Sequence, residues 1–175
     1  MPSATQHDYQ GIDVLEAMES AHNYNAYLAR LVAQHLSTTT PVLDFGAGTG
    51  TIARLVAALG FDGLVCLEPD PALAQDLRKQ GFKVVEALDA IADLYSLNVI
   101  EHIEDDGAAT RELFRILAPG GVCLVYVPAF QWLFTRLDHR VGHFRRYRRA
   151  SLSRLFVDAG FLISSSRYVD SIGFF

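Results

Sequence analysis

Three groups of residues have the types and spacing to do chemistry. The first is VLDFGAGTG (42–50), where an apolar run meets Asp44 and is followed by Gly46, Gly48 and Gly50. Glycines after a strand let the backbone approach a nucleotide closely, at φ values closed to other residues. The dinucleotide fingerprint is G-x-G-x-x-G, with the pyrophosphate on a helix N-terminus. The spacing here is G-x-G-x-G, and Asp44 stands ahead of it. A carboxylate at that place repels a pyrophosphate and attracts a cation. A nucleoside with an amino-acid tail and a positive charge therefore suits the loop better than NAD does. S-adenosyl-L-methionine, with its ammonium, sulfonium and carboxylate, meets that description.

The second group is the adjacent pair Glu101 and His102. A carboxylate beside an imidazole can act as a base or ligate a metal. Neighbouring residues rarely make a metal site by themselves. No third ligand is evident in the sequence, so no metal is expected. The plainer alternative is a pair that holds a turn. The third group is DHRVGHFRRYRR (138–149). Its His143, Arg145 and Arg146 can hold a phosphate or a carboxylate. Tyr147 can stack on a ring or add a hydrogen bond, and Gly142 lets the segment bend. The plainer alternative is a solvated basic face, to which Arg148 and Arg149 are assigned.

The elements that must position these groups follow from length and pattern. The chain has 175 residues, half of them hydrophobic, which suits one globular domain with a sizeable core. Its net charge of −5 hides an asymmetry: residues 136–149 hold six of the fifteen Lys+Arg and a single acid, Asp138. The basic stretch is short and the remainder acidic, which argues against a nucleic-acid partner despite the interleaved Phe144 and Tyr147. Cys66 and Cys123 lie in apolar runs and read as reduced core residues. No 18-residue apolar run exists and MPSATQHDYQ has no signal core. A soluble, cytoplasmic protein without a membrane span is therefore expected.

Residues 12–36 carry an apolar stripe at helical spacing, including Tyr24, Leu28, Leu31, Val32 and Leu36. Strands are expected at 41–46, 63–68, 83–87, 94–100, 122–128 and 161–168. Helices are expected at 49–59, from the Asp70-Pro71 cap to Gly81, at 106–117 and at 151–160. Apolar strands alternating with helices predict a Rossmann-like, doubly wound, mostly parallel α/β sheet with helices on both faces. Residues 1–40 form an N-terminal helical cap and 41–175 the core. Ligands of such sheets bind beyond the C-terminal ends of the strands, where the glycine loop sits.

Two lengths are unusual. Crossing from the third strand to the fourth takes three lateral steps, about 14 Å, plus a return along a strand of about 17 Å. The six residues Leu88 to Asp93 reach roughly 20 Å when fully extended. Residues are therefore expected to be missing between Asp89 and Tyr95. The apolar ending SIGFF predicts further chain to cover it, and the last strand of the expected fold is missing. The unpaired strand edges this leaves favour dimerisation, and the chain is expected to be a monomer or a homodimer.

Taken together, these motifs resemble the class I S-adenosylmethionine-dependent methyltransferases, in the branch of type 11/12-like members. VLDFGAGTG is similar to the family's first motif, and LEPD (67–70) to the acid ending strand two. SLNVIEHIEDD (96–106) resembles the segment after strand four, and LAPGG (117–121) the turn before strand five. The resemblance covers nearly the whole chain. It implies that Asp44, Gly46, Ala47, Gly48 and Gly50 line the methionine end. It implies that Glu68, followed by Pro69, accepts hydrogen bonds from the ribose hydroxyls, and that Asn98 and Val99 reach the cofactor. The family's acid at the end of strand three is replaced by Leu88, leaving Asp89 as the candidate for the adenine contact. SAHNYNAYLARL (20–31) resembles a covering helix, with Tyr24 and Asn25 facing the site. The 138–149 segment resembles one that shapes the acceptor pocket in members linked to glycan or lipid-carrier modification.

The function expected is methyl transfer from S-adenosyl-L-methionine, leaving S-adenosyl-L-homocysteine, to a small-molecule or lipid- or glycan-linked acceptor held near the 138–149 segment, whose arginines suit an anionic one. His143 is the first candidate base, followed by Glu101 and His102. Arg145, Arg146 and Tyr147 are the candidates for holding the acceptor. The rival readings are an NAD-binding oxidoreductase and a binding module without turnover.

Overall fold

The computed structural model describes residues 20–87 and 90–169. Five strands form one parallel sheet in the order β3-β2-β1-β4-β5. They are β1 (Val42–Phe45), β2 (Leu64–Leu67), β3 (Lys83–Val85), β4 (Asp93–Leu97) and β5 (Cys123–Tyr126). The helices are α1 (His22–His35), α2 (Thr51–Ala57), α3 (Pro71–Lys79), α4 (Asp106–Ile116), α5 (Arg136–Arg140) and α6 (Arg149–Asp158). The order reverses between β1 and β4. A doubly wound sheet opens its ligand crevice at such a point.

The strands are mostly apolar because both faces of the sheet are covered. Val42, Cys66 and Tyr95 point to one side, where Val32 of α1, Val56 of α2 and Leu77 of α3 meet them. Leu43, Val65 and Leu94 point to the other, against Leu113 and Ile116 of α4 and Phe156 of α6. Side chains alternate along a strand, so Asp44 lies on the same face as Val42. The β1–β4 register sets it directly beside Tyr95. Asp93 pins the sheet's lower end. Its carboxylate accepts from the Thr40 hydroxyl at 2.9 Å and the Val122 amide at 2.8 Å.

The element reading from sequence needs four corrections. The segment 161–168 is irregular, not a sixth strand. No strand runs beside it among the described residues, and an unpaired strand leaves its ladder groups without partners. Phe161 packs instead on Phe114 and Phe156, while Leu162 is 97% exposed. Strand four stops at Leu97 rather than Ile100, because Asn98 turns into the left-handed region at φ 55°. Strand three is only Lys83–Val85. A short helix, α5, lies within what the sequence presented as a basic loop; Thr135 caps it and Asp138 completes a capping box. Residues 12–19 of the first expected helix lie outside the described residues. So do Leu88 and Asp89, which adjoin the expected break. No helix among the described residues is long and apolar enough to cross a membrane.

Candidate active site

The glycine loop is hooked to the end of β2. The Gly46 and Ala47 amides both donate to the Leu67 carbonyl, at 2.9 and 3.2 Å. Gly46 has φ +82°, and a Cβ on it would stand 2.7 Å from a Val99 methyl. Only glycine combines that backbone angle with that contact. Glu68 fastens the next turn. Its Oε2 accepts from the Gly48 amide at 2.7 Å and its Oε1 from the Asp70 amide at 2.9 Å. Asp70 in turn caps α3, accepting from Ala72 and Leu73. An open cleft of about 470 Å³ lies beside Glu68 and Pro69, flanked by Arg78 and Glu86. A carboxylate has about four lone-pair sites, so Glu68 keeps two for a ligand in that cleft.

Asp44 lies beneath the loop, buried, and accepts a hydrogen bond from the Tyr95 hydroxyl at 2.8 Å. Burial raises its pKa to about 7; the Tyr95 bond works against the rise and the Glu68 charge adds to it. At the end of β4 the Asn98 amide donates to the Tyr126 carbonyl at 2.8 Å. The Asn98 Nδ2 donates to the Tyr24 hydroxyl at 3.0 Å, and the Tyr24 ring meets Tyr126 edge-on at 6.2 Å. Tyr24 and Asn98 thereby draw α1 over the C-terminal ends of β4 and β5. Asn25, its neighbour, is buried.

A second cluster stands further along. A 3-10 turn over Ile100–His102 carries Glu101 and His102. His143 arrives from the loop after α5. Its ring meets that of His102 edge-on at 4.5 Å, and its Nε2 lies 3.9 Å from Glu101 Oε1. One ligand atom from each of Glu101, His102 and His143 lies within 4.8 Å of the others. The third partner that the sequence did not reveal is therefore His143, so the ground for expecting no metal there is removed.

Asp138 organises this cluster. Its Oδ1 meets His143 Nδ1 at 2.9 Å and Arg146 Nε at 2.7 Å. Its Oδ2 accepts from Arg146 Nη2 at 2.9 Å and from the Thr135 amide at 2.8 Å. Burial pushes the Asp138 carboxyl up, but these donors outweigh it and hold the group well below the usual carboxylate range. Glu101 has the opposite balance. It is wholly buried, neither side-chain oxygen bonds to another described residue, and burial raises its pKa to about 8. His102 is pulled down to about 4, first by the protein packed around its inner ring edge and second by His143, although its outer edge stays exposed.

The remaining expected acceptor residues face protein partners. Arg145 Nη1 lies 2.6 Å from Asp106 Oδ2, and its Nη2 donates to the Glu104 carbonyl at 2.6 Å. The Tyr147 hydroxyl donates to Asp106 Oδ2 at 2.8 Å. Both clasp the 138–149 segment to the start of α4. Arg146 joins the His143 cluster through Asp138. The Arg149 amide donates to the Tyr168 hydroxyl at 3.0 Å. The candidate Asp89 lies outside the described residues. Sequence reading missed Tyr95, Asp106 and Asp138. The strand register would have exposed the first, and the Thr135-x-x-Asp138 capping pattern the last. Nothing local flagged Asp106.

Residues 16–166 match the family model described as a methyltransferase domain. The chain belongs to the methyltransferase domain family. Over 152 residues it is 29% identical to a Mycolicibacterium smegmatis protein named as a probable S-adenosylmethionine-dependent methyltransferase, covering 81% of this chain and 57% of that relative. Over 149 residues it is 27% identical to the ubiquinone biosynthesis O-methyltransferase of Psychrobacter arcticus, covering 69% of this chain and 58% of that relative. The chain thus spans less than two thirds of the length of either curated relative. A crystallised S-adenosylmethionine-dependent methyltransferase of Thermotoga maritima superposes with a TM-score of 0.70 at 20% identity, over 89% of this chain and 80% of that one. The family decides between the two readings of the glycine loop: its cofactor is S-adenosylmethionine, not NAD.

Proposed function

We propose that this methyltransferase domain moves the methyl group of S-adenosylmethionine onto an ionisable oxygen or nitrogen of a small-molecule or lipid- or glycan-linked acceptor. One observation carries the reading. Val99 packs against Gly46 of the cofactor loop, and Glu101, two residues on and buried, joins the half-buried His143 and the exposed His102 in one cluster. Whatever lies against that cluster is presented to the loop's ligand. The relative from Psychrobacter is named as an O-methyltransferase, which supports an oxygen acceptor.

The reaction needs little from the protein beyond alignment, dryness and proton removal. The acceptor atom forms a bond to the methyl carbon as the carbon–sulfur bond breaks. The sulfonium becomes the neutral thioether of S-adenosylhomocysteine, and the acceptor's proton leaves at the Glu101–His143 cluster. Glu68 takes the ribose hydroxyls with its two unused lone-pair sites. Asp44 faces the cationic end. Tyr24 and Asn98 close α1 over the site.

Asp44 gives this reading a pH signature. With the Asp44 pKa at about 7, roughly one chain in ten carries the charge at pH 6 and nearly all do at pH 8. A cation favours the charged form, so S-adenosylmethionine should bind up to about tenfold more tightly at pH 8 than at pH 6. Calorimetric titration at the two values measures this. Tyr95→Phe removes the bond that favours the charge and should move the midpoint upward; Asp44→Asn should flatten the profile. Stability without ligand runs the other way. A carboxylate raised from its ordinary value of about 4 to about 7 holds its proton in the folded state and releases it in the unfolded one. Its contribution therefore declines as pH rises from about 4 to 7.

The acceptor class is tested with S-adenosylmethionine labelled on its methyl group. Transfer of label into phenolic, carboxylic or lipid-linked acceptors, lost in Glu68→Ala, supports the proposal. Retention of all label on the cofactor across those classes contradicts it.

A further inference from the structure

The geometry points to a divalent transition-metal cation held by Glu101, His102 and His143 on the acceptor side of the cofactor loop. The inference rests on the methyl-transfer reading for its purpose but not for its chemistry.

Two imidazoles and one carboxylate form a donor set suited to zinc, cobalt, manganese or iron in the divalent state. The three ligand atoms lie within 4.8 Å of one another. Bonds of about 2.0–2.2 Å put tetrahedral neighbours about 3.4 Å apart. Glu101 Oε1 and His143 Nε2, at 3.9 Å, are already close to that separation. Small side-chain rotations close the remaining distance.

Two independent features point into the same space. Glu101 is fully buried, and neither of its oxygens has a hydrogen-bond partner among the described residues. A buried carboxylate without partners is costly, and a bound cation removes that cost. The second feature is the orientation of His143. Its Nδ1 is engaged by Asp138 at 2.9 Å, leaving Nε2 aimed at Glu101. Ligating histidines usually present one nitrogen to the metal and give the other to a carboxylate. Arg146 holds Asp138 in place for that task through a two-pronged contact.

Three protein ligands leave coordination positions open, as in sites that bind a reactant rather than a structural ion. With the cation in place these side chains are ligands rather than bases: an acceptor oxygen taking an open position becomes more acidic and releases its proton to solvent instead of to the cluster, ready to receive the methyl group. The ligand class that follows is an acceptor whose methylated atom is the oxygen of a hydroxyl, enol or carboxylate.

The test uses the full chain, freed of metal with a chelator, and Co²⁺ as the probe. Its d–d absorption reports geometry and stoichiometry, and Zn²⁺ should displace it. The expected result is one equivalent per chain, with affinity reduced at least tenfold in Glu101→Gln and in His102→Asn. His102 is exposed, so the second variant leaves the fold intact. His139→Ala, whose ring lies against Phe134, should bind Co²⁺ as the parent does. No stoichiometric Co²⁺ binding, or binding unchanged in both ligand variants, overturns the site. S-adenosylhomocysteine binding is measured on the same samples. Nucleoside binding without Co²⁺ defeats only the metal site; Co²⁺ binding without the nucleoside supports the metal site and defeats only the methyl-transfer reading.

Discussion

Asp138→Ala should lower the unfolding free energy by about 3–5 kcal/mol, the usual cost of breaking a buried ion pair from one side. Asp138 is 2% exposed, and it receives Arg146, His143 and the Thr135 amide together. Its removal takes the two-pronged carboxylate contact away from the Arg146 guanidinium, whose side chain is 8% exposed. It also strips α5 of its capping box. For a chain of this size the loss appears as a fall in Tm of roughly 10–15 °C. Asp138→Leu combined with Arg146→Met removes both charges and should regain part of the loss. A Tm change under about 3 °C in the single variant would show that the cluster is not the anchor described.

The second large effect is expected at Gly46. Gly46→Ala places a methyl group 2.7–2.8 Å from both Val99 methyls, at φ +82°. The left-handed angle costs an alanine about 1–2 kcal/mol, and the overlap adds about 1–3 kcal/mol. Val99→Ala in the same chain relieves the overlap but not the angle. The double variant should therefore recover roughly half of the lost stability, which chemical denaturation can measure. Cofactor binding should weaken in step, because the displaced loop is the one hooked to Leu67 and Glu68.

Much of this site was legible before any coordinates. The glycine spacing and Asp44 are local in sequence, and their meaning rests on backbone freedom and charge sign, which need no tertiary information. The alternation of apolar strands and helices likewise fixed the layer order, because each strand's two faces had to be covered. What was hidden depends on chain segments meeting. Tyr95 and Asp44 become partners only through the parallel register of β1 and β4. His143 joins Glu101 and His102 only because α5 and the turn after it fold the 138–149 segment back over the end of β4. The basic composition of that segment pointed to solvent or to an anionic ligand. The structure instead directs Arg145 to Asp106 and Arg146 to Asp138, so charge alone did not reveal which cations had internal partners. The expected sixth strand failed for a related reason. A strand's pattern can be present in 161–168, but a ladder needs a neighbour.

The central claim is that the loop from Asp44 to Gly50, with Glu68, holds an S-adenosyl nucleoside. Thermal unfolding with S-adenosylhomocysteine, with NAD and with no ligand tests it most directly. At 100 times its Kd a ligand stabilises by about 2.7 kcal/mol, which is roughly 5–10 °C for this chain. The account predicts such a shift with S-adenosylhomocysteine, none with NAD, and loss of the shift in Glu68→Ala. A shift with NAD alone, or one with S-adenosylhomocysteine that survives Glu68→Ala unchanged, would contradict it.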